Sequence, residues 1–570
     1  MRGFNMAIVG IDLGTTNSLI GVFEDGKARL IENANGGFLT PSAVYVDQNG
    51  EIVVGAAARE MALTNPDAAV MSFKRWMGTD RVVSLGKRSF RAEELSSFIL
   101  RSLIDDYKSR YAEEITEAVI SCPAYFNDGQ RKATINAAKL AGLKVERLIN
   151  EPTAAVLAYG LETRDDGQFL VFDLGGGTFD VSIMHKYDGV FEIRASAGDN
   201  FLGGDDFTEA LAGLLLRKSN IDRVSLGKID QARILRAADT IKIDLSGKAS
   251  LDYRITLEKA VLEGVVTREE FEAEASDLMR RLRHPLERAL RDSSISPDEL
   301  DAIVLVGGAT RMPAIRQMIA RLFGKLPFVT INPDEVVAMG AVIQSALKSR
   351  DAAVEDVLLT DVCPFTLGVA SMRTRPDGKR EEVVSPLIER NATVPISRVE
   401  PFTTVSDNQT EIALRIYQGE NIRPEHNVHI GTLNVKIPRR PAGHESVDVR
   451  FTYDINGALE VEATVQSTKE VFKTLFSNES GLDEKELAKR FEQLSKIKLA
   501  PRDQQENREL IARAERIYAE ALEQDRQVIA DGLMQFTAEI EDQRLRDIEA
   551  VRDEFRAFLN QFDKFVFNRD

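Results

Sequence analysis

An internal repeat constrains the fold of this chain more than any other feature of its sequence. Residues Ile8 to Phe23 form an apolar run, a turn reading Asp12-Leu13-Gly14-Thr15-Thr16, and a second apolar run. Residues Phe169 to Met184 repeat this order around Asp173-Leu174-Gly175-Gly176-Gly177-Thr178. Similarity over this separation indicates duplicated domains rather than a solenoid of short repeats. We therefore predict two β-hairpins whose turns carry an aspartate, glycines and threonine.

The residue types in these turns suit a phosphate ligand. Glycine lets the backbone approach a ligand and leaves N–H groups pointing at it, and threonine adds a hydroxyl donor. Two such turns would hold a triphosphate from both sides, with Asp12 and Asp173 placed to meet its metal ion. A third turn, Gly307-Gly308-Ala309-Thr310-Arg311, follows an apolar strand at Ala302 to Val306 and precedes a helix from Pro313.

Length and charge narrow the class of protein. A chain of 570 residues is long for one hydrophobic core, so several domains are expected. A net charge of −17 disfavours nucleic acid and anionic membranes as partners. Cys122 and Cys363 stand alone in apolar surroundings and are predicted to be core residues. Because Asp12 interrupts the first apolar run, we expect no secretory signal and a cytoplasmic protein.

The pattern of apolar residues changes twice along the chain. Helical stretches such as Gly129 to Leu140 and Pro152 to Leu161 alternate with strands over about the first 350 residues, which indicates α/β organisation. From about Cys363 to Phe476 the apolar residues alternate with a period of two, and Asn456-Gly457 is typical of a hairpin turn. This middle region is predicted to be an antiparallel β domain.

The region after Gly481 is predicted to be amphipathic helix, with Pro501 and Gly532 as its only breakers. Helical spacing relates two sets of apolar residues, which are Ile529, Leu533, Phe536 and Ile540, and then Phe555, Phe558, Phe562 and Phe565. The phenylalanine stripe must be covered by another helix or by a partner.

Five blocks of sequence resemble the signature blocks of DnaK-type 70-kilodalton heat-shock chaperones, in the same order. They are Gly10-Ile11-Asp12-Leu13-Gly14-Thr15-Thr16-Asn17-Ser18, Pro123-Ala124-Tyr125-Phe126-Asn127-Asp128, Asn150-Glu151-Pro152-Thr153-Ala154-Ala155, Asp173-Leu174-Gly175-Gly176-Gly177-Thr178-Phe179-Asp180 and Val306-Gly307-Gly308-Ala309-Thr310-Arg311-Met312-Pro313. Several long blocks in one order are more specific than one short motif. The resemblance covers Met6 to about Gly481.

The resemblance implies a multidomain chain. Its parts would be an actin-like, ribonuclease-H-like ATPase domain at 1–355, a linker at 356–361, a β-sandwich peptide-binding domain at 362–481 and a shortened α-helical lid at 482–570. It implies an ATP-dependent chaperone that binds and releases extended apolar segments of unfolded proteins, with hydrolysis switching peptide affinity. The implied partners are unfolded clients, a nucleotide-exchange factor and a J-domain co-chaperone that contacts Arg147 and Asp361.

Two other functions fit an actin-like fold, namely a small-molecule kinase and a filament-forming actin relative. Neither accounts for residues 363–570. No GxxxxGK[ST] sequence occurs, which disfavours a P-loop ATPase.

The resemblance also implies roles for individual residues. Lys74 would orient the attacking water and offset charge on the transferred phosphoryl group, since this chemistry depends on positioning and electrostatics. Taken alone, Lys74 also fits a solvated surface lysine, and Glu151 a helix N-terminal acid. The implied catalytic residues are Lys74, Glu151, Asp173 and Thr178. Magnesium would be held, mostly through water, by Asp12, Asp173 and Glu151, with potassium near Asp12 and Asp180.

The remaining ATP or ADP contacts are implied in the same way. They are Gly14, Thr15, Thr16, Asn17, Gly175, Gly176, Gly177, Gly204, Asp205, Asp239, Lys242, Ser246, Gly307, Gly308, Arg311 and Asp334. Asp205 and Asp239 stand where the family usually has glutamate, so each side chain is one methylene shorter.

A peptide channel is implied in the β domain, lined by Leu367, Val369, Met372, Phe402, Val405, Ile412 and Leu414. Met372 and Val405 would arch over the bound backbone, while Leu367 and Leu414 also fit ordinary core positions. The stretch from Arg373 to Val383 is longer and more charged than the family's loop, as in a specialised bacterial paralogue of the HscC type. The apolar linker residues Val357, Leu358 and Leu359 are predicted to dock conditionally.

Overall fold

The computed structural model describes residues 7–111, 114–162, 166–187, 190–327, 331–349, 354, 358–374, 378–455, 457–476, 510–511, 513–514, 517–518, 523–541 and 548–567. Two compact units divide the chain, Met1–Phe365 and Thr366–Asp570. Among the helices within those ranges, none has the length and apolar character to cross a membrane.

The first unit mixes strands and helices. Its strands are β1 Ala7–Leu13, β2 Asn17–Glu24, β3 Lys27–Leu30, β4 Thr40–Pro41, β5 Ala43–Val46, β6 Ile52–Val54, β7 Ala69–Met71, β8 Val83–Leu85, β9 Arg88–Phe90, β10 Ile115–Cys122, β11 Lys144–Asn150, β12 Gly167–Leu174, β13 Phe179–Tyr187, β14 Val190–Asp199, β15 Ser250–Thr256, β16 Val261–Thr267, β17 Ala302–Val306 and β18 Leu358–Val362. Its helices are α1 Ala56–Met61, α2 Ala92–Arg110, α3 Asp128–Leu140, α4 Glu151–Glu162, α5 Gly204–Lys218, α6 Lys228–Gly247, α7 Arg268–Glu274, α8 Ser276–Ser293, α9 Pro313–Phe323 and α10 Val336–Ser349.

Two large sheets carry the repeated hairpins. The first has the order β11-β10-β1-β2-β3, and the second contains β17-β12-β13-β14-β18. The predicted hairpins are confirmed, because β1 pairs antiparallel with β2 and β12 with β13. In each sheet the first hairpin strand also pairs in parallel with a later strand, β10 or β17. The internal repeat of the sequence is thus a repeat of strand topology.

Helices α4 and α10 bring the two sheets into one core. Ala154 to Tyr159 of α4 are buried, as are Val336 and Ala341 of α10. These side chains pack in one cluster with Val119 of the first sheet and Val171 of the second. The hairpin turns of both sheets are therefore held on a common apolar support.

Strand β18 contains part of the predicted linker. It pairs in parallel with β14, with Leu359 opposite Phe191. The Leu359 side chain is 8% exposed. Asp356 and Val357, which belong to the same predicted linker, lie outside the described residues. The described part of this segment is thus docked on a sheet of the first unit.

The second unit begins with antiparallel strands, as the two-residue alternation predicts. They are β19 Leu367–Thr374, β20 Arg380–Ile388, β22 Ile396–Thr403, β23 Glu411–Gln418, β24 Val428–Lys436, β25 Ser446–Tyr453, β26 Leu459–Val465 and β27 Val471–Phe476. The short strand β21 Thr393–Val394 belongs to neither of the sheets that these strands form. Two sheets have the orders β20-β19-β23-β24 and β22-β25-β26-β27. The β25–β26 pairing confirms the predicted hairpin, although Asn456 itself lies outside the described residues.

Two long helices follow, α11 Glu523–Glu541 and α12 Ile548–Phe567. Three residues of the phenylalanine stripe, Phe555, Phe558 and Phe562, pack in one cluster with Phe536 of α11, and the rings of Phe536 and Phe555 stack at 4.1 Å. The side chain of Phe565 lies outside the described residues. The prediction that Gly532 breaks the helix is wrong, because it lies inside α11. A Cβ at Gly532 would come 2.6 Å from the Phe558 ring. This glycine therefore permits close packing of α12 rather than ending α11.

Candidate functional site

A cleft in the first unit lies where the three glycine turns meet. The residues that line it are Asp12, Gly14, Thr15, Thr16, Asn17, Leu19, Leu39, Lys74, Glu151, Asp173, Gly175, Gly176, Thr178, Val306, Gly307, Gly308, Pro333, Asp334 and Val337. Most of the phosphate and catalytic residues predicted from sequence are in this lining. Gly177, Asp180, Gly204 and Asp205 lie outside it.

The two hairpin turns contact each other. The N–H of Gly175 donates to the Thr178 carbonyl at 3.1 Å, which closes the second turn. A Cβ at Gly177 would lie 2.5 Å from Cγ2 of Thr15 in the first turn. The N–H of Asp205 donates to the Gly176 carbonyl at 2.8 Å and fixes this turn from α5. A side chain at Gly177 would therefore clash with Thr15 unless one of the two groups shifted.

Lys74 is buried beside Glu151, at 3% exposure, and is therefore no surface lysine. Its Nζ donates to Oε1 of Glu151 at 2.6 Å. Burial lowers the pKa of Lys74, but the nearby carboxylates of Glu151 and Asp12 outweigh that effect and leave the pKa raised. Glu151 is also the first residue of α4, so it is a helix N-terminal acid as well. The lysine thus remains a cation inside the cleft.

Carboxyl groups gather around this lysine. Desolvation raises the pKa of Asp12 to about 6, with a contribution from Glu151. Burial likewise raises the pKa of Asp173 well above its ordinary value, and Glu151, Asp180 and Asp12 add to the shift. Oδ2 of Asp173 is buried without a hydrogen-bond partner. Such a cluster is short of positive charge, so these residues fit a bound cation.

The fit is to a hydrated cation rather than to a closed cage. Across the described ranges, no group of three or more histidine, cysteine, aspartate or glutamate residues has direct metal-ligand geometry. Magnesium usually keeps several of its waters and binds through one or two carboxylates together with substrate phosphates. Asp12, Asp173 and Glu151 suit that mode of binding.

The pKa of Asp180 gives a test of this electrostatic environment. Burial, with help from Glu151, raises it to about 8. Between the ordinary pKa and 8 the folded protein holds a proton that the unfolded chain lacks, so stability falls as pH rises through this window. In nucleotide-free protein we expect Asp180→Asn to reduce this loss, because asparagine does not titrate. Urea unfolding from about pH 5 to about pH 9 measures it. If the free energy of unfolding changed equally with pH in both proteins, the raised pKa of Asp180 would be contradicted.

Two of the predicted nucleoside residues, Gly308 and Asp334, line the cleft. The other four are outside its lining, namely Asp239, Lys242, Ser246 and Arg311. Nζ of Lys242 donates to the Gly204 carbonyl at 2.9 Å and lies 2.9 Å from Oδ1 of Asp239. Nη2 of Arg311 donates to Oδ2 of Asp334 at 2.7 Å. Lys242 thus pairs with Asp239, and Arg311 pairs with Asp334.

Residues of the predicted peptide channel separate into two groups within the second unit. Leu367, Val369 and Leu414 are buried in the core, at 2% exposure or less. Met372 is 42% exposed and Val405 is 38% exposed. Phe402 and Ile412 are half-buried. Met372 and Val405, the two residues predicted to arch over a ligand, are thus the exposed ones.

Comparison with known proteins agrees with these observations. A family model described as "Hsp70 protein" matches residues 8–564. The chain is 39% identical over 548 residues to a "Chaperone protein dnaK" of Cyanidioschyzon merolae, which covers 90% of this chain and 89% of that protein. The chain belongs to the Hsp70 family.

Membership of the Hsp70 family establishes the general activity. The protein is an ATP-dependent chaperone and an ATPase. It uses ATP or ADP with magnesium, and its partners are unfolded polypeptides and co-chaperones in general. The kinase and filament alternatives are not favoured.

Several residues of this Hsp70 site escape prediction from the sequence. Oγ of Ser121 donates to Oδ1 of Asp12 at 2.6 Å. Nη2 of Arg75 lies 2.5 Å from Oδ2 of Asp206 and so joins the segment that carries Lys74 to α5. Arg75 stands next to Lys74, and this adjacency is the one signal that would have indicated it.

A polar chain also reaches the linker strand. Nη2 of Arg131 donates to Oδ1 of Asn150 at 2.7 Å, and Nδ2 of Asn150 donates to Oδ2 of Asp361 at 2.8 Å. Burial raises the pKa of Asp361, an effect that Arg131 and Arg147 oppose. The two residues predicted to contact a J-domain, Arg147 and Asp361, are therefore electrostatically coupled.

Proposed function

We propose that the cleft of the first unit binds and hydrolyses ATP and that this reaction controls how tightly the second unit binds extended apolar peptides. The observation that carries the proposal is the buried ion pair of Lys74 and Glu151 beside the two glycine turns. Lys74 lines the cleft together with Thr15, Gly176 and Thr178, and its retained positive charge would stabilise negative charge that develops during phosphoryl transfer.

The cleft residues take distinct parts in this proposal. The turns around Thr15 and Gly176 hold the phosphates through N–H and hydroxyl donors, and Thr178 lies nearest the γ-phosphate. Glu151 and Asp173 position the water, and magnesium supplies charge neutralisation when it is bound. Potassium would be held beside Asp12 and Asp180. The residues that would contact adenosine are Asp239, Lys242, Ser246, Gly308, Arg311 and Asp334. This is the chemistry of an actin-like ATPase domain at 1–355.

The second unit is assigned to peptide. We place a β-sandwich at 362–481, with the channel between Met372 and Val405, and a short helical lid at 482–570. The exposure of both apolar side chains supports this position, because they are the residues that the family resemblance predicts to arch over a ligand. Its ligands are unfolded client proteins, and the setting is the cytoplasm.

The linker at 356–361 joins the two activities. Docked against β14 it favours the open, fast-exchanging form, and hydrolysis favours the closed form. A J-domain co-chaperone contacts Arg147 and Asp361 and accelerates hydrolysis, and a nucleotide-exchange factor restores ATP. Coupling between the two binding sites is reciprocal by thermodynamic necessity.

Filling the channel tests the peptide site. We expect Val405→Phe and Ile412→Phe each to weaken binding of a labelled apolar heptapeptide, since overfilling a formed pocket costs about 1 to 3 kcal/mol. Fluorescence anisotropy measures the affinity. Val471→Phe is the control, because Val471 is 51% exposed on β27 and is not one of the proposed channel residues. Unaltered affinity in both channel variants would place the channel elsewhere.

Turnover with and without peptide tests the function as a whole. We expect an extended apolar peptide to raise steady-state ATP hydrolysis by the full chain. A small-molecule kinase would instead transfer phosphate to a sugar-like acceptor, and a filament protein would respond to its own concentration. A rate of ATP hydrolysis that does not change when peptide is added would contradict the proposal.

A further inference from the structure

The long charged hairpin β19–β20 reaches the loop that carries Val405. In the β19–β20 register, Met372 lies opposite Glu382 and Thr374 opposite Arg380. Side chains on alternate residues share a face of a sheet, so Arg380 and Met372 lie on the same face. Nη1 of Arg380 donates to the carbonyl oxygen of Val405 at 2.8 Å. The hairpin therefore joins the two sides of the proposed channel.

Other hydrogen bonds also hold the loop at 404–410. Oε1 of Gln409 accepts the N–H of Val405 at 3.2 Å, and Nε2 of Gln409 donates to the Glu411 carbonyl at 2.8 Å. The N–H of Asn408 donates to the Arg440 carbonyl at 2.9 Å. These bonds hold the loop from its own residues and from the segment that carries Arg440. Arg380 adds a bond from the β19–β20 hairpin to the carbonyl of Val405, which we call the rim of the channel.

We infer that Arg380 is a positioning residue for the peptide site: it straps the Val405 rim to the hairpin and so slows release of a bound peptide. The inference rests on the proposed function, because it takes the space between Met372 and Val405 as the channel. Arg380 is the first residue of β20 and lies within the stretch from Arg373 to Val383, which is longer and more charged than the family's loop. The strap is therefore a feature of this chain's long hairpin.

The chemistry of arginine suits this position. Its side chain is long enough to cross a gap between two loops, and its guanidinium stays charged at any physiological pH. A charged donor makes a stronger hydrogen bond to a carbonyl than a neutral one does. On the same face Glu382 pairs with Arg415, which leaves this carboxylate engaged away from Arg380. The strap is therefore a single bond directed at the backbone of the rim.

Peptide dissociation from the full chain with ADP tests the strap. We expect Arg380→Ala to raise the dissociation rate of a labelled apolar heptapeptide about threefold to tenfold, the effect of losing one modest hydrogen bond. Arg373→Ala is the matched control, because it removes the same charge from the neighbouring strand on the opposite face. We expect that variant to stay within about twofold of the unmodified protein.

Amide hydrogen exchange gives a second readout that needs no peptide. In the ligand-free Arg380→Ala protein, the amides of 404–410 should exchange faster, while those of β25 and β26 stay unchanged. A general loss of stability would instead speed exchange in all of these strands, and that pattern would overturn the inference.

The outcomes separate the strap from the proposed function. If the unmodified chain binds the peptide and Arg380→Ala releases it at the same rate, the strap is wrong and the channel stands. Equal effects of Arg373→Ala and Arg380→Ala would also overturn the strap, in favour of net charge. If the unmodified chain fails to bind any apolar peptide, the proposed function fails and the strap fails with it.

Discussion

Replacing Lys74 with alanine is expected to abolish ATP hydrolysis while ATP affinity changes by less than about tenfold. A group that acts mainly on the transition state affects the rate more than ground-state binding. The buried Lys74 ammonium, 2.6 Å from Glu151, is held in place before ATP binds, so it can stabilise developing charge without reorganisation. Single-turnover hydrolysis and calorimetric titration with ATP measure the two quantities.

The Lys74 experiment needs a control for loss of a buried cation. Lys74→Ala leaves Asp12 and Glu151 without their shared partner, so the folded fraction must be measured alongside the rate. Lys186→Ala is the matched variant, because Lys186 is 6% exposed and donates to the Gly160 carbonyl at 3.0 Å, away from the cleft lining. Near-normal turnover in folded Lys74→Ala protein would remove the catalytic assignment.

Replacing Leu359 with aspartate is expected to abolish the coupling between ATP binding and peptide binding. Leu359 is buried in β18 opposite Phe191. A buried leucine contributes about 1.5 to 3 kcal/mol, and an unpaired buried carboxylate costs more, so the docked strand should be lost. ATP should then no longer speed peptide release, and peptide should no longer raise ATP turnover.

The same substitution at an exposed leucine supplies the control for Leu359→Asp. Leu326 is 86% exposed in the same unit, so Leu326→Asp adds the same charge without disturbing a packed strand. Stopped-flow peptide release and steady-state turnover are measured for both variants. Full ATP-triggered release in Leu359→Asp would mean that β18 is only a tether.

Local patterns predicted the strands and turns of this chain well. The hairpins at Asp12 and Asp173 follow from apolar runs broken by glycine and threonine, and β17 from the run Ala302–Val306. These patterns depend only on residues that are close together in the sequence, so they can be recognised without a structure. The same local logic failed at Gly532, because a glycine that breaks an isolated helix is tolerated where another helix packs closely against it.

The site was predicted less completely, because its contacts join distant parts of the chain. Lys74 meets Glu151 across 77 positions, and Arg75 meets Asp206 across 131. No rule of sequence spacing relates the two residues of such a pair. The family resemblance indicated Lys74 and Glu151, but it did not indicate Arg75 and Asp206. The strap from Arg380 to Val405 lies in a hairpin where the chain departs from the family's pattern, so resemblance could not indicate it.

The central claim is that nucleotide in the first unit controls peptide in the second, and peptide release measured on rapid mixing tests it most directly. A labelled apolar heptapeptide is bound to the full, unmodified chain with ADP and then mixed with excess unlabelled peptide together with either ADP or ATP. The account predicts that ATP speeds dissociation well beyond the ADP rate, and that the Leu359→Asp protein loses the difference. Equal dissociation rates with ATP and ADP in the unmodified chain would contradict it.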